Sequence, residues 1–247
     1  MNEGENPEFI AENDEANVSR ETLASVFGDG PGSAAQDEQS AAAVERIQQI
    51  EDFVGILATE GIKRGLLGPR EVPRLWDRHV LNCAVVGELI DREADVIDVG
   101  SGAGLPGIPL ALARPDLWVT MVEPMQRRVT FLEEVVKTLG IPNVEVVRSR
   151  AEEISPRGKA DVALSRAVAP LGKLSRWCLP LVRPPQPGKL RSEPGAMLAI
   201  KGRSAVEEVR RETRNIRKAG GADIEVLTCG ENIVEEVTTV VRIERRK

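Results

Sequence analysis

The residues best suited to chemistry form one run, Asp98-Val99-Gly100-Ser101-Gly102-Ala103-Gly104-Leu105-Pro106-Gly107. Its glycines, Gly100, Gly102, Gly104 and Gly107, let the backbone turn tightly and approach a ligand. A helix opening at Gly107 would add free N–H groups that favour a negative group. One acid, Asp98, stands two residues before the first glycine, and another, Glu123, stands 21 residues after Gly102. A carboxylate at the end of the next strand can accept hydrogen bonds from two ribose hydroxyls. The spacing therefore predicts a nucleoside cradle made by the glycine loop, Asp98 and Glu123.

Which nucleoside the cradle takes is left open by spacing alone, because Gly102-x-Gly104-x-x-Gly107 also satisfies the dinucleotide pattern. Three features favour S-adenosylmethionine. A carboxylate as close as Asp98 can hold the methionine end of that cofactor, whereas a pyrophosphate gains nothing from it. The last two strands are joined by a loop and not by a helix. The chain has no tyrosine, which excludes the Tyr/Lys pair of one large dehydrogenase group. A nicotinamide-dependent oxidoreductase remains the rival enzyme class, and a non-catalytic assembly factor that keeps the cradle only as a structural plug is a second rival.

The elements that must position these residues follow from hydrophobic periodicity. From Asp95 onward short β-branched runs alternate with helical stretches, as in βαβ units around a parallel sheet. Strands are predicted at Val96–Val99, Trp118–Val122, Val144–Val147, Val162–Ser165, Met197–Ile200, Ile224–Leu227 and Thr238–Ile243. Helices are predicted at Gly107–Ala113, Gln126–Leu139, Leu171–Leu181 and Ala205–Ala219. The fold class is thus α/β, a doubly wound Rossmann-like methyltransferase sheet of seven strands, with an antiparallel last strand at the end of an otherwise parallel sheet. Ahead of it, apolar spacing predicts an amphipathic helix from Ala41 to about Thr59 and a second helical stripe over Arg70–Leu89.

Charge divides the chain further. The net charge of -6 separates into -9 over residues 1–40 and +3 over the remainder. The first stretch has ten acids against Arg20 alone and few large apolar side chains, so it is expected to be a disordered acidic tail. The organisation is then a tail (1–40), a helical segment packed on the core (41–94) and a cofactor-binding domain (95–247). A mildly basic body is compatible with a polyanionic partner without demanding one. Three dispersed cysteines and a single histidine suggest neither a disulfide framework nor a metal site. No apolar run approaches a membrane span, and Met1-Asn2-Glu3-Gly4-Glu5 lacks the start of a secretory signal. A cytoplasmic protein and a monomer are the expectations.

Beyond the generic loop, the run Asp98–Ala111 resembles the GidB/RsmG family of 16S ribosomal RNA guanine-N7 methyltransferases. Ser149-Arg150-Ala151-Glu152-Glu153, Ser165-Arg166-Ala167 and Lys201-Gly202 follow it in the family's order, and Arg70 with Arg78-His79-Val80-Leu81-Asn82 resembles an upstream segment. The resemblance covers roughly residues 45–247. It implies that Gly100 and Leu105 line the cofactor, that Ala151 and Glu152 lie beside the adenine, and that Arg166 stands at the pocket edge. The implied partner is 16S rRNA within the small ribosomal subunit or its precursor. Arg166 and Lys201, each at a strand end, are the substrate-side candidates, with a surface salt bridge and a solvated lysine as their alternatives.

No general base is expected, because guanine N7 offers a lone pair and carries no proton. His79 is therefore read as part of an RNA-facing or helix-anchoring cluster. Asn82, Cys83, Val237 and Thr238 depart from the family pattern and lend no support to substrate contact. The proline-rich Arg183–Gly195 segment is read as a tolerated surface insertion, with a stiff RNA-gripping loop as the alternative.

Overall fold

The computed structural model describes residues 18–28, 41–155, 157–166, 169–185 and 194–246. The described residues form a seven-stranded sheet in the order β3-β2-β1-β4-β5-β7-β6. Its strands are β1 (Asp95–Val99), β2 (Trp118–Val122), β3 (Val144–Val147), β4 (Val162–Arg166), β5 (Ala196–Lys201), β6 (Gly221–Cys229) and β7 (Thr238–Arg245). β1 through β5 run parallel, and β7 pairs antiparallel with both β5 and β6. The antiparallel strand is the last in sequence, as expected, but not the last in space: it lies between β5 and β6. Burial explains the placement. β7 keeps Thr238, Val240, Val241 and Ile243 buried, whereas β6 is mostly exposed and suits the edge.

The helices α4 (Gly107–Ala113), α5 (Gln126–Leu139), α6 (Leu171–Cys178) and α7 (Ala205–Lys218) cover the sheet. In α5 the buried Val129, Leu132, Val135 and Leu139 recur at helical spacing, and Gly140 ends the helix at φ 64. α6 stops short of the expected Leu181 because Pro180 cannot continue the helical ladder.

The N-terminal part departs more from expectation. α1 (Arg20–Phe27) lies inside the stretch expected to be disordered. Ser19 caps it by accepting from the Thr22 N–H at 3.1 Å, and Leu23 and Phe27, one turn apart, are buried. An average over forty residues, ten of them acidic, hid this short apolar pair. The rest of the acidic stretch, residues 1–17 and 29–40, lies outside the described residues, as do Ala167, Lys189 and Arg191.

α2 (Ala41–Ile56) runs into a wide π turn over Leu57–Gly61. The stripe expected to be one helix over Arg70–Leu89 is instead four short pieces: a 3-10 turn at Pro69–Arg74, a π turn at Leu75–Leu81, α3 (Asn82–Ala84) and a 3-10 turn at Val85–Leu89. Pro69 and Pro73 deny the first piece a regular α-helical ladder. The apolar stripe survives the change, since Leu75, Val80, Leu81, Val85 and Val86 are all buried. These side chains, with Phe27, Ile50 and Phe53, share one core with β1, β2, α4 and α5. A second cluster joins α6 and α7 to the other part of the sheet.

Candidate functional site

β1 ends at Val99, and the backbone then reverses through Gly100, Gly102 and Gly104, at φ 80, 59 and 91. Those angles fall in the region that residues with a side chain rarely adopt. The Gly100 N–H donates to the Val122 carbonyl at 2.9 Å, which lays the turn across the end of β2. Leu105 is buried behind it.

Gly107 answers a second demand. Its N–H donates to Asp98 Oδ2 at 3.1 Å. A Cβ at this position would sit 2.8 Å from that same oxygen and 2.8 Å from the Met121 sulfur. Only a bare backbone lets α4 come this close to the carboxyl.

Asp98 is fully buried, and among the described residues its other oxygen, Oδ1, has no hydrogen-bond partner. Burial pushes its pKa up to about 7. A buried carboxyl with one oxygen still open beside the glycine turn suits a cationic ligand group, which would supply both the missing partner and the charge.

Glu123, also buried, is fixed by the backbone. Its Oε2 accepts from the Gly102 N–H at 3.2 Å and its Oε1 from the Met125 N–H at 2.9 Å, with Arg128 Nη1 3.5 Å away. Each oxygen keeps a second lone pair for a hydroxyl donor. Ala151 is buried in a 3-10 turn just after β3, and the neighbouring Glu152 is exposed.

At the end of β4, Ser165 donates to the Val99 carbonyl at 3.0 Å and ties the two central strands together. Among the described residues Arg166 makes no ion pair there. Its Nη2 donates to His79 Nδ1 at 2.7 Å, while Nη1 lies 3.4 Å from the Arg78 carbonyl and 3.5 Å from Cys83 Sγ. An arginine only donates, so Nδ1 must accept and the ring proton must sit on Nε2. Nε2 in turn meets Glu71 Oε2 at 2.7 Å. Burial, helped by the Arg166 charge, holds the His79 pKa below its ordinary 6.5 and keeps the ring neutral. This Glu71–His79–Arg166 chain was not legible in the spacing; the only hint was a lone histidine among arginines.

Three of the four departures from the family pattern, Asn82, Cys83 and Thr238, meet in the same place. Cys83 contacts Arg166, and Thr238 Oγ1 donates to the Asn82 carbonyl at 3.2 Å. All three cysteines are buried and free, with thiols pushed up by burial to about 11 at Cys83 and about 12 at Cys178 and Cys229.

Lys201 is placed differently from a residue free to meet RNA. Its ammonium donates to the Ala169 carbonyl at 3.1 Å and to Glu208 Oε1 at 3.1 Å, and Glu208 also accepts from the Leu171 N–H at 2.9 Å. The lysine thus staples the end of β5 to α7 and to the start of α6. Arg183, at the root of the proline-rich segment, pairs with Asp161. Among the described residues no cluster of His, Cys, Asp or Glu could hold a metal ion, and no helix is long and apolar enough to cross a membrane.

Comparison with known proteins agrees with this geometry. An S-adenosylmethionine-dependent methyltransferase, SibL, superimposes with a TM-score of 0.54 at 16% identity, covering 84% of this chain and 70% of that one. The fold is accordingly the Rossmann-like class I methyltransferase fold.

Relatives named ribosomal RNA small subunit methyltransferase G are much nearer in sequence. The protein of Corynebacterium glutamicum is 55% identical over 194 residues, 77% of this chain and 83% of its own length. That of Rhodococcus jostii is 51% identical over 226 residues, 89% of this chain and 95% of its own. The family model described as rRNA small subunit methyltransferase G matches residues 46–238, so the chain belongs to the GidB family.

Proposed function

We propose that this chain methylates N7 of a guanine in 16S rRNA, within the small ribosomal subunit or a late precursor, in the cytoplasm and as a monomer. The observation that carries the reading is the buried Asp98, its Oδ2 held by the Gly107 N–H and its Oδ1 without a partner among the described residues, at the root of a turn whose glycines have positive φ. Family membership and the names of the relatives support the substrate class.

S-adenosylmethionine, when bound, is the source of the methyl group. Asp98 would hold its cationic methionine end, Glu123 its ribose hydroxyls, and Ala151 with Glu152 its adenine, while Gly100, Gly102, Gly104 and Leu105 shape the cradle. We likewise read residues 41–94 as a helical segment and 95–247 as the cofactor-binding domain.

Guanine N7 presents an in-plane lone pair and no proton, so no residue has to act as a base. The protein's contribution is to orient the acceptor and exclude water. Arg166 spends three of its five N–H donors on His79, the Arg78 carbonyl and Cys83. The remaining two are available to a carbonyl of the base or to a phosphate. His79 is neutral and held from both sides, which suits an orienting part and not a proton-transferring one.

The deciding experiment adds purified protein and labelled S-adenosylmethionine to under-methylated small subunits. Nucleoside mass spectrometry and aniline cleavage after borohydride should reveal new N7-methylguanine at one site. An unchanged pattern would defeat the proposal. Calorimetry with S-adenosylhomocysteine and NAD separates the cofactor classes, and tight NAD binding alone would favour the oxidoreductase.

A further inference from the structure

A second feature lies away from the glycine turn, between α6 and α7. There the two helices enclose a cavity of about 490 Å3 whose lining includes Gly172, Lys173, Arg176, Glu212, Asn215 and Lys218. Gly172 makes the close approach possible, since a Cβ there would lie 2.4 Å from Glu212 Oε2 and 2.6 Å from the Asn215 Cβ.

Three cations, Lys173, Arg176 and Lys218, line this one groove. Elsewhere most arginines near a carboxylate are paired, as in Arg64–Glu60, Arg114–Asp116 and Arg242–Glu225. Lys173, Arg176 and Lys218 are exposed and have no ion pair among the described residues. Arg210, Arg214 and Arg217, equally exposed and unpaired among the described residues, continue the row along one face of α7 at spacings of four and three residues. Two of the acids of α7 are engaged, Glu208 by Lys201, and Glu212 by Asn215 at 2.9 Å and Arg211 at 3.8 Å, and the exposed Glu207 lies outside the groove lining. Lys173 is steadied 4.8 Å over the Trp177 ring.

We infer that this α6–α7 groove docks the sugar-phosphate backbone of the rRNA that flanks the target nucleotide. The inference rests on the rRNA reading above and adds where the RNA lies. Unpaired exposed cations gain most from a polyanion, because each phosphate neutralised releases counterions. Position supports the same occupant. α6 begins five residues after Arg166, and Lys201 ties that connection to α7 through Ala169 and Glu208. The Pro170–Gly172 end of the groove therefore lies beside the substrate edge of the sheet. Backbone contacts of this kind set register and leave the choice of base to the pocket.

The test compares two triple variants of the full chain. One removes the groove cations, Lys173→Gln, Arg176→Gln and Lys218→Gln. The other removes the same charge from scattered positions outside the groove, Arg92→Gln, Lys137→Gln and Lys159→Gln, all exposed and ahead of β1, β3 and β4. The readouts are binding of small subunits across a salt series, methyl transfer, and S-adenosylhomocysteine affinity.

The groove variant should raise KM for the subunit about tenfold or more and flatten the salt dependence by roughly 0.7–0.9 for each phosphate it no longer neutralises. Its kcat and cofactor affinity should stay within about twofold of the parent, and the control variant should change nothing by more than that. Equal behaviour of the two variants, or a groove variant that loses kcat alone, overturns the groove. If the parent binds subunits through the groove but transfers no methyl, the groove stands and the methyltransferase reading falls. If the parent transfers methyl and the groove variant matches the control, the reverse holds.

Discussion

Arg166 and His79 are joined by a 2.7 Å hydrogen bond across 87 residues of sequence, and the histidine can accept it only while neutral. Arg166→Ala is expected to lower kcat by roughly 100-fold through lost orientation, with a loss of stability of only about 1 kcal/mol. Wild-type turnover would show that the guanidinium serves the fold alone.

Because Glu71 holds the far side of the same ring, Glu71→Gln, which keeps an acceptor, should retain more activity than Glu71→Ala. The folded-state pKa of His79 lies below its ordinary 6.5. Its contribution to stability is therefore complete above that value and lost as pH falls and the unfolded chain takes up the proton. Activity should fall at more acid pH still, where the folded ring itself takes up the proton and can no longer accept from Arg166. A rate profile with no acid limb before the chain unfolds would count against the orienting part.

Asp98 carries the opposite sign. Its carboxyl is raised from 3.8 to about 7 by burial, so the folded chain holds the proton more tightly than the unfolded one. Its contribution to stability is complete below about 4 and lost as pH rises toward about 7. Asp98→Asn should melt roughly 5 °C above the parent at pH 8 and near it at pH 5. The same variant should bind S-adenosylhomocysteine about 10–100-fold more weakly. Unchanged affinity would remove Asp98 from the cofactor site.

Gly107→Ala places a methyl 2.8 Å from both Asp98 Oδ2 and Met121. The expected cost is about 1–3 kcal/mol in urea titrations, together with weaker cofactor binding as α4 is pushed off the loop. Gly100→Asp, at φ 80, should abolish binding through strain and charge. Either variant binding the cofactor normally would mean that the turn is not the cradle.

Lys201→Ala discriminates between two parts for that lysine. With its ammonium bonded to Ala169 and Glu208, removal leaves a half-buried carboxylate without its partner, and a stability loss of about 3 kcal/mol is expected. KM for the small subunit should barely move. A raised KM without loss of stability would return Lys201 to the RNA.

The alternation of strands and helices from Asp95 onward was readable from sequence because it depends on local periodicity and on glycines and prolines acting over a few residues. The loop from Asp98 to Gly107 was readable for the same reason: tight turns demand particular residue types wherever they occur. α1 was missed because two apolar side chains, Leu23 and Phe27, outweigh the composition around them only when there is something to pack against.

The remaining features were decided by tertiary structure. β7 slots between β5 and β6, Lys201 turns inward to Glu208, and His79 meets Arg166, each through pairing between segments far apart in the chain. Spacing along a sequence carries no distance between such segments. Only the closing of the sheet, driven by burial on both its faces, brings Glu71, His79 and Arg166 into one row.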